Sequence, residues 1–200
     1  SNTTVLKNTV AGGSITMTAL TGTIWNCATD TNHTMPNDGV NNFPTNLVTP
    51  TGLLTANVTL ALGGTVAKTF GTITVSPHTG DFDIIFSGTG NTFGAVTQGP
   101  PDATPKYADV QLTYPMALNV ASWTAGAAAQ ACNLVGTGGV VTVADTDGGI
   151  NTFTNVDITN VDVSGATWNA LTADGSTVTT STGWTVGAAG NPWYYYRQMM

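Results

Sequence analysis

N-T-F-T-N-V-D-I-T-N-V-D-V, residues Asn151–Val163, carries the fold in miniature. Val156 and Ile158 alternate with Asp157 and Thr159, and Val161 and Val163 flank Asp162. That is the period-two pattern of a half-buried strand. The phase slips once, near Asn160, where a bulge is expected. Val, Ile and Thr are stiff at χ1 and suit a pleated surface. The stretch therefore predicts a β ribbon over Thr152–Val163.

Similar runs lie outward from it at Ser14–Leu20, Leu53–Leu62, Thr69–Val75, Phe82–Ser87, Ala108–Tyr114, Gly139–Ala144 and Thr177–Val186. Turn residues separate them at intervals of about 8–12 positions, the rhythm of a sandwich or barrel. The expected fold is all-β, an antiparallel β-sandwich or jelly roll. A right-handed parallel β-helix is the alternative, because Asn and Thr stack well in coils. The Ala-rich run Ala121–Cys132 reads as the one helix, weakened by Gly126. Asn26–Pro50, with Pro36, Pro44 and Pro50, reads as a long surface loop. G-P-P-D-A-T-P at Gly99–Pro105 favours an extended connection. It divides the chain into an N-terminal β region (1–98), a Pro-rich linker (99–106) and a C-terminal β region (107–200), unless the whole is one domain.

A faint repeat places a Gly-rich turn, an Asn, a Phe and an aliphatic residue in Asp38–Val48, Gly88–Val96 and Asp147–Val156. Phe43, Phe93 and Phe153 would then anchor successive strand starts in the core. Their spacing is irregular, so a strict solenoid is not demanded.

Composition narrows the function. Only 8% of the 200 residues are charged, all eleven acidic residues are Asp, and the cations are Lys7, Lys68, Lys106 and Arg197. A chain this poor in Glu, Lys and Arg is not built from long helices. The net charge of −7 argues against binding nucleic acid or anionic membrane. No run approaches the ~18 apolar residues of a membrane span, so no membrane insertion is expected. The chain begins at Ser1, which fits removal of an initiator Met or of a longer leader. Hydroxyl- and amide-covered surfaces suit proteins that pack into assemblies.

Candidate chemistry is sparse. His33 and His78 sit in T-N-H-T and S-P-H-T-G and read as exposed turn histidines. No G-x-S-x-G motif occurs. Asp81 and Asp83 would share a strand face, and Asp157 and Asp162 flank the slip at Asn160. A carboxylate-pair hydrolase is not expected, because Glu is missing and Arg197 is the single Arg. No enzyme is expected. Asp145 and Asp147, beside Gly148 and Gly149, offer hard oxygen donors for calcium, with Asn151 adding a carbonyl oxygen. The competing reading is an Asx turn that caps its own backbone. Cys27 and Cys132 form either one long-range disulfide or two buried thiols. N-x-[ST] sequons occur at Asn2, Asn32 and Asn57. The tail P-W-Y-Y-Y-R-Q-M-M places Trp193, Tyr194, Tyr195 and Tyr196 together as an interface anchor. The arm Ser1–Val10 could add a strand to a neighbour.

F-S-G-T-G-N-T-F at Phe86–Phe93 and N-T-F-T-N-V-D-I-T at Asn151–Thr159 resemble repeat units of phage and environmental β-rich structural proteins. So do V-S-G-A-T-W-N-A-L-T-A-D-G-S at Val163–Ser176 and S-T-G-W-T-V at Ser181–Val186. In such proteins these units occur in fibre, head-decoration and adhesin-like regions. The resemblance covers roughly Ser87–Phe93 and Val140–Val186. It implies a bacteriophage virion or surface structural role and brings no catalytic residues. The expected function is a virion structural protein: a capsid decoration or cement protein, a head fibre or a tail-associated subunit. Its partners would be identical subunits and a larger assembly. The alternatives are an extracellular, pilus-like filament subunit joined by strand donation, and a carbohydrate-binding module with Trp and Tyr lined on an exposed sheet.

Overall fold

The computed structural model describes residues 5–7, 24–26, 33–34, 46–49, 57–61, 69–79, 83–88, 90–99, 108–126, 132–171 and 176–187. Every element among them is a strand. The first eight are β1 (Val5–Lys7), β2 (Ile24–Asn26), β3 (His33–Thr34), β4 (Asn46–Val48), β5 (Val58–Ala61), β6 (Thr69–Val75), β7 (Ile84–Ser87) and β8 (Thr92–Gln98). Next come β9 (Val110–Thr113), β10 (Ala117–Gly126), β11 (Cys132–Thr137), β12 (Val141–Asp145) and β13 (Ile150–Thr154). The last are β14 (Val156–Thr159), β15 (Val161–Ser164), β16 (Thr167–Leu171), β17 (Thr177–Thr179) and β18 (Trp184–Gly187).

The fold is a parallel β-helix. One sheet runs β1-β2-β4-β6-β8-β10-β13-β16-β18, and a second runs β3-β5-β7-β9-β11-β14-β17. From β4 to β11 the chain alternates between the two sheets, so each strand pairs with the strand one coil later. All described pairings are parallel. The antiparallel sandwich expected from the sequence is thereby corrected. Period-two alternation marks any sheet with one wet face, and in a coil the parallel sheets have one too.

Three further expectations change. The helix expected at Ala121–Cys132 is strand where the chain is described: β10 continues to Gly126 and β11 starts at Cys132, while residues 127–131 lie outside the described residues. Over 121–126 helix propensity loses to packing, because Val120, Trp123 and Ala125 all face the core. Asn26–Pro50 is not a plain loop, since it contains β3 and β4. Asn160 is not a bulge but a one-residue corner between β14 and β15. It is left-handed (φ 57°), as is Asn155 (φ 54°) between β13 and β14. Asn tolerates that conformation better than most residues. Both sheets also pass the Pro-rich segment unbroken, with β8 paired to β10 and β7 to β9. Residues 100–107 themselves lie outside the described residues. So does Ser14–Leu20.

A third corner bends the first sheet. In β6 and β8, Phe70 pairs with Phe93 and Thr72 with Ala95, while the pairing skips Gly71 and Gly94 between them. Phe70 and Ile73 point inward, and Gly71 and Thr72 point outward between them. A β-carbon on Gly94 would lie 1.6 Å from the Gly71 carbonyl oxygen, so only glycine lets the bent strands stack. Beyond β10 the corner widens. The first half of β10 pairs with β12 and its last two residues with β13. Thr146–Gly149 protrude between those two strands. Gly165 occupies the same corner one coil on, where a β-carbon would meet the Asp145 carbonyl oxygen at 2.1 Å.

The coil interior is filled by large apolar side chains. Phe93 meets Phe70 and Phe86 edge-on at 5.6 and 5.8 Å. A second cluster gathers Trp123, Trp168 and Trp184 around Phe153, the last of these at 4.8 Å. Phe93 stacks between Phe70 and Val120, whereas Phe153 stacks beside Ala125 and Ala170. The two phenylalanines thus belong to different columns, and the Phe-based repeat is not the coil repeat. Phe43 lies outside the described residues.

Candidate interaction surface

With the large side chains inside, the outer surface is written in columns of small polar residues. Neighbouring rungs of a parallel sheet lie about 4.8 Å apart. Two columns differ sharply in chemistry.

The first column precedes the inward-facing residues Val58, Ile84, Val110, Leu134, Ile158 and Val178 of the second sheet. It reads Asn57, Asp83, Asp109, Asn133, Asp157, Thr177. Its members bond to one another along the stack. The Asp83 backbone N–H donates to Asn57 Oδ1 (3.1 Å). Asn133 donates to Asp109 Oδ1 from its backbone N (2.7 Å) and from Nδ2 (3.0 Å). Thr177 Oγ1 donates to Asp157 Oδ1 (2.5 Å). Gln111 Nε2 donates to Asp83 Oδ2. Gln98, buried at the adjoining corner, donates from Nε2 to the carbonyls of Ala108 (2.8 Å) and Asn133 (2.9 Å). These acceptors hold the rungs together.

The second column lies on the outer face of β4, β6, β8, β10, β13, β16 and β18. It reads Val48, Thr74, Thr97, Thr124, Thr152, Asn169, Thr185. Each of the Thr and Asn members is half-buried or exposed, flanked along its strand by inward-facing residues such as Ile73, Val96 and Trp123. Beyond the corner glycines, the strands carrying this column contain no charged residue. The described acidic residues stand elsewhere: Asp83, Asp109 and Asp157 in the first column, Asp162 on β15, Asp145 at the end of β12 and Asp147 in the protruding corner.

The calcium candidates fall at that corner, and the structure brings Asp145 and Asn151 together. The buried Asp145 carboxylate accepts from the backbone N of Asp147 and Gly148 at Oδ1 (2.8 Å each) and from Asn151 Nδ2 at Oδ2 (2.7 Å). Asn151 Oδ1 in turn accepts from the Trp123 backbone N–H (2.6 Å), replacing a rung where the strands part. N–H donors thus face the carboxylate that a cation would need, and the carboxylate closes its own turn. Asp147 is exposed. Among the described residues no group of three His, Cys, Asp or Glu side chains could hold a metal ion.

The chain matches no family model, no curated protein and no solved structure.

The other candidates are placed as follows. His78 is not an exposed turn residue; it is fully buried, because it follows the last inward residue of β6 into the coil. His33 lies in β3 rather than a loop. Cys132 is a buried free thiol. Burial, and next the Asp109 carboxylate, push it up to about 12, so it remains protonated at neutral pH. Asp157 and Asp162 stand on strands of different sheets. Val5–Lys7 of the N-terminal arm pairs with β2 of its own chain. Cys27, Asp81, Trp193, Tyr194, Tyr195 and Tyr196 lie outside the described residues. Trp123 and Trp168 are buried and Trp184 is half-buried against Phe153, so these indoles face the core rather than an outer sheet.

Sequence reading missed both columns. The signal for the first was present: N-V-T-L, D-I-I-F, D-V-Q-L, N-L-V-G, D-I-T and T-V-T recur at intervals of 26, 26, 24, 24 and 20 residues.

Proposed function

We propose that this chain is a structural subunit of a virion, a stiff β-helical column that acts by packing against identical subunits within a larger assembly. The observation that carries this reading is the division of labour across the coil. Every large described side chain of the core is committed to the interior. The Asp-bearing column is committed to tying rungs together. The outer face of β6, β8, β10, β13, β16 and β18 is then left as an uncharged, Thr-rich surface on its described strands, suited to contact rather than to chemistry. Parallel rungs bonded along the whole stack resist bending, as a fibre or decoration subunit requires. The inward tryptophans favour this reading over a sugar-stacking module, which would line them on an outer face.

Light scattering after size exclusion, with negative-stain electron microscopy of the same peak, tests the proposal. Discrete oligomers or rods are expected. A chain that stays monomeric at every concentration would overturn it.

A further inference from the structure

We propose that the outer face of β6, β8, β10, β13, β16 and β18, centred on Thr74, Thr97, Thr124, Thr152, Asn169 and Thr185, is where a second copy of this chain docks. The inference rests on the self-assembly proposed above and names the surface that performs it.

Charge selects this face. The chain carries −7 with four cations. Two copies meeting through Asp83 and Asp157 of the first column, or through Asp162 on β15, would bring like charges within a Debye length of about 8 Å. Like-charge contacts across an interface oppose association. The Thr face carries no charge on its described strands, so an acidic copy can approach it unopposed.

Self-complementarity selects it again. A two-fold interface presents the same patch from both sides. A carboxylate only accepts hydrogen bonds, so the Asp rungs of the first column cannot pair with their own kind, and only its Asn and Thr rungs could. A Thr hydroxyl both donates and accepts, as does the Asn169 amide. The Thr column can therefore bond to its own copy at every rung, with matching ~4.8 Å repeats on both sides. Thr is also stiff at χ1, so docking immobilises little that is not already fixed. Methyl groups between the hydroxyls supply apolar contact.

The test compares the full chain, a Thr97→Glu/Thr124→Glu variant, and a Thr142→Glu control on the other side of the corner, where Thr142 is exposed on β12 and pairs with Ala117 in the first half of β10. Sedimentation equilibrium reads the association constant, and circular dichroism checks that the β-helix is retained. The Thr-face variant is expected to associate at least 100-fold more weakly, and added salt should restore part of that loss by screening. The control should associate like the parent. If the parent assembles and the Thr-face variant assembles equally well, or no worse than the control, the docking face is wrong while self-assembly stands. If salt restores nothing, the loss is not electrostatic and the inference is likewise overturned. If the parent itself is monomeric, both the face and the self-assembly reading fail.

Discussion

Two polar columns run the length of this β-helix, and they are used in opposite ways. In the second sheet, Asn57, Asp83, Asp109, Asn133, Asp157 and Thr177 alternate acceptors with donors, and the hydrogen bonds run from rung to rung. In the first sheet, Thr74, Thr97, Thr124 and Thr152 stand on a face whose rungs are already joined by backbone pairing. A column whose side chains bond to one another is stabilising the coil; a column of mostly Thr, its rungs joined through the backbone, is free to serve another molecule. Substitutions should therefore divide the two columns cleanly.

The largest effect is expected at Asp109. Asp109→Ala leaves the backbone N–H and Nδ2 of Asn133 without their acceptor in a partly buried site. It should destabilise by about 3 kcal/mol, read from the urea midpoint. Asp109→Asn keeps an acceptor oxygen and should lose less than half of that. Equal losses would show that the carboxylate's charge, not the rung bond, is what matters.

A smaller effect belongs to Cys132, beside the same column. Its folded pKa is raised above the ordinary 9.0 to about 12. A raised folded value means the unfolded chain holds fewer protons above pH 9. Stability is then complete below pH 9 and declines as pH rises toward 12, by roughly 1 kcal/mol per pH unit. Cys132→Ala should remove that alkaline slope, at the cost of a small cavity. Chemical denaturation at pH 8 and pH 10.5 measures it; an unchanged slope in the variant would assign it to another group.

The smallest effect is expected on the Thr face. Thr124→Val keeps the β-branched shape and should change folding stability by no more than about 0.5 kcal/mol. A loss as large as that at Asp109 would erase the distinction between the columns.

Much of the β content was legible in the sequence. Thr69–Val75 matches β6 residue for residue, and Ile84–Ser87 and Val110–Thr113 fall inside the runs read as strands. The direction of pairing was not, because alternation is identical in parallel and antiparallel sheets with one wet face. The repeat was sought in the phenylalanines, which proved the wrong marker. A core needs its volume filled and accepts that volume from different columns in different coils. A hydrogen-bonded column allows no such freedom. The Asp-Ile, Asp-Val and Asn-Leu doublets therefore kept the true period when Phe93 and Phe153 did not. At Asp145 the sequence left two options, since D-T-D-G-G alone does not say whether N–H groups or a cation face the carboxylate.

The glycine corner regulates the length of each coil. The pairing skips one residue at Gly71 and Gly94, yet four protrude as Thr146–Gly149 one coil after β10, and the flanking rungs still pair. Both sheets keep their register whatever the corner holds. Chain can therefore be inserted there, coil by coil, without disturbing the stack, which makes this edge the natural place for the surface to diversify while the column beneath it stays the same.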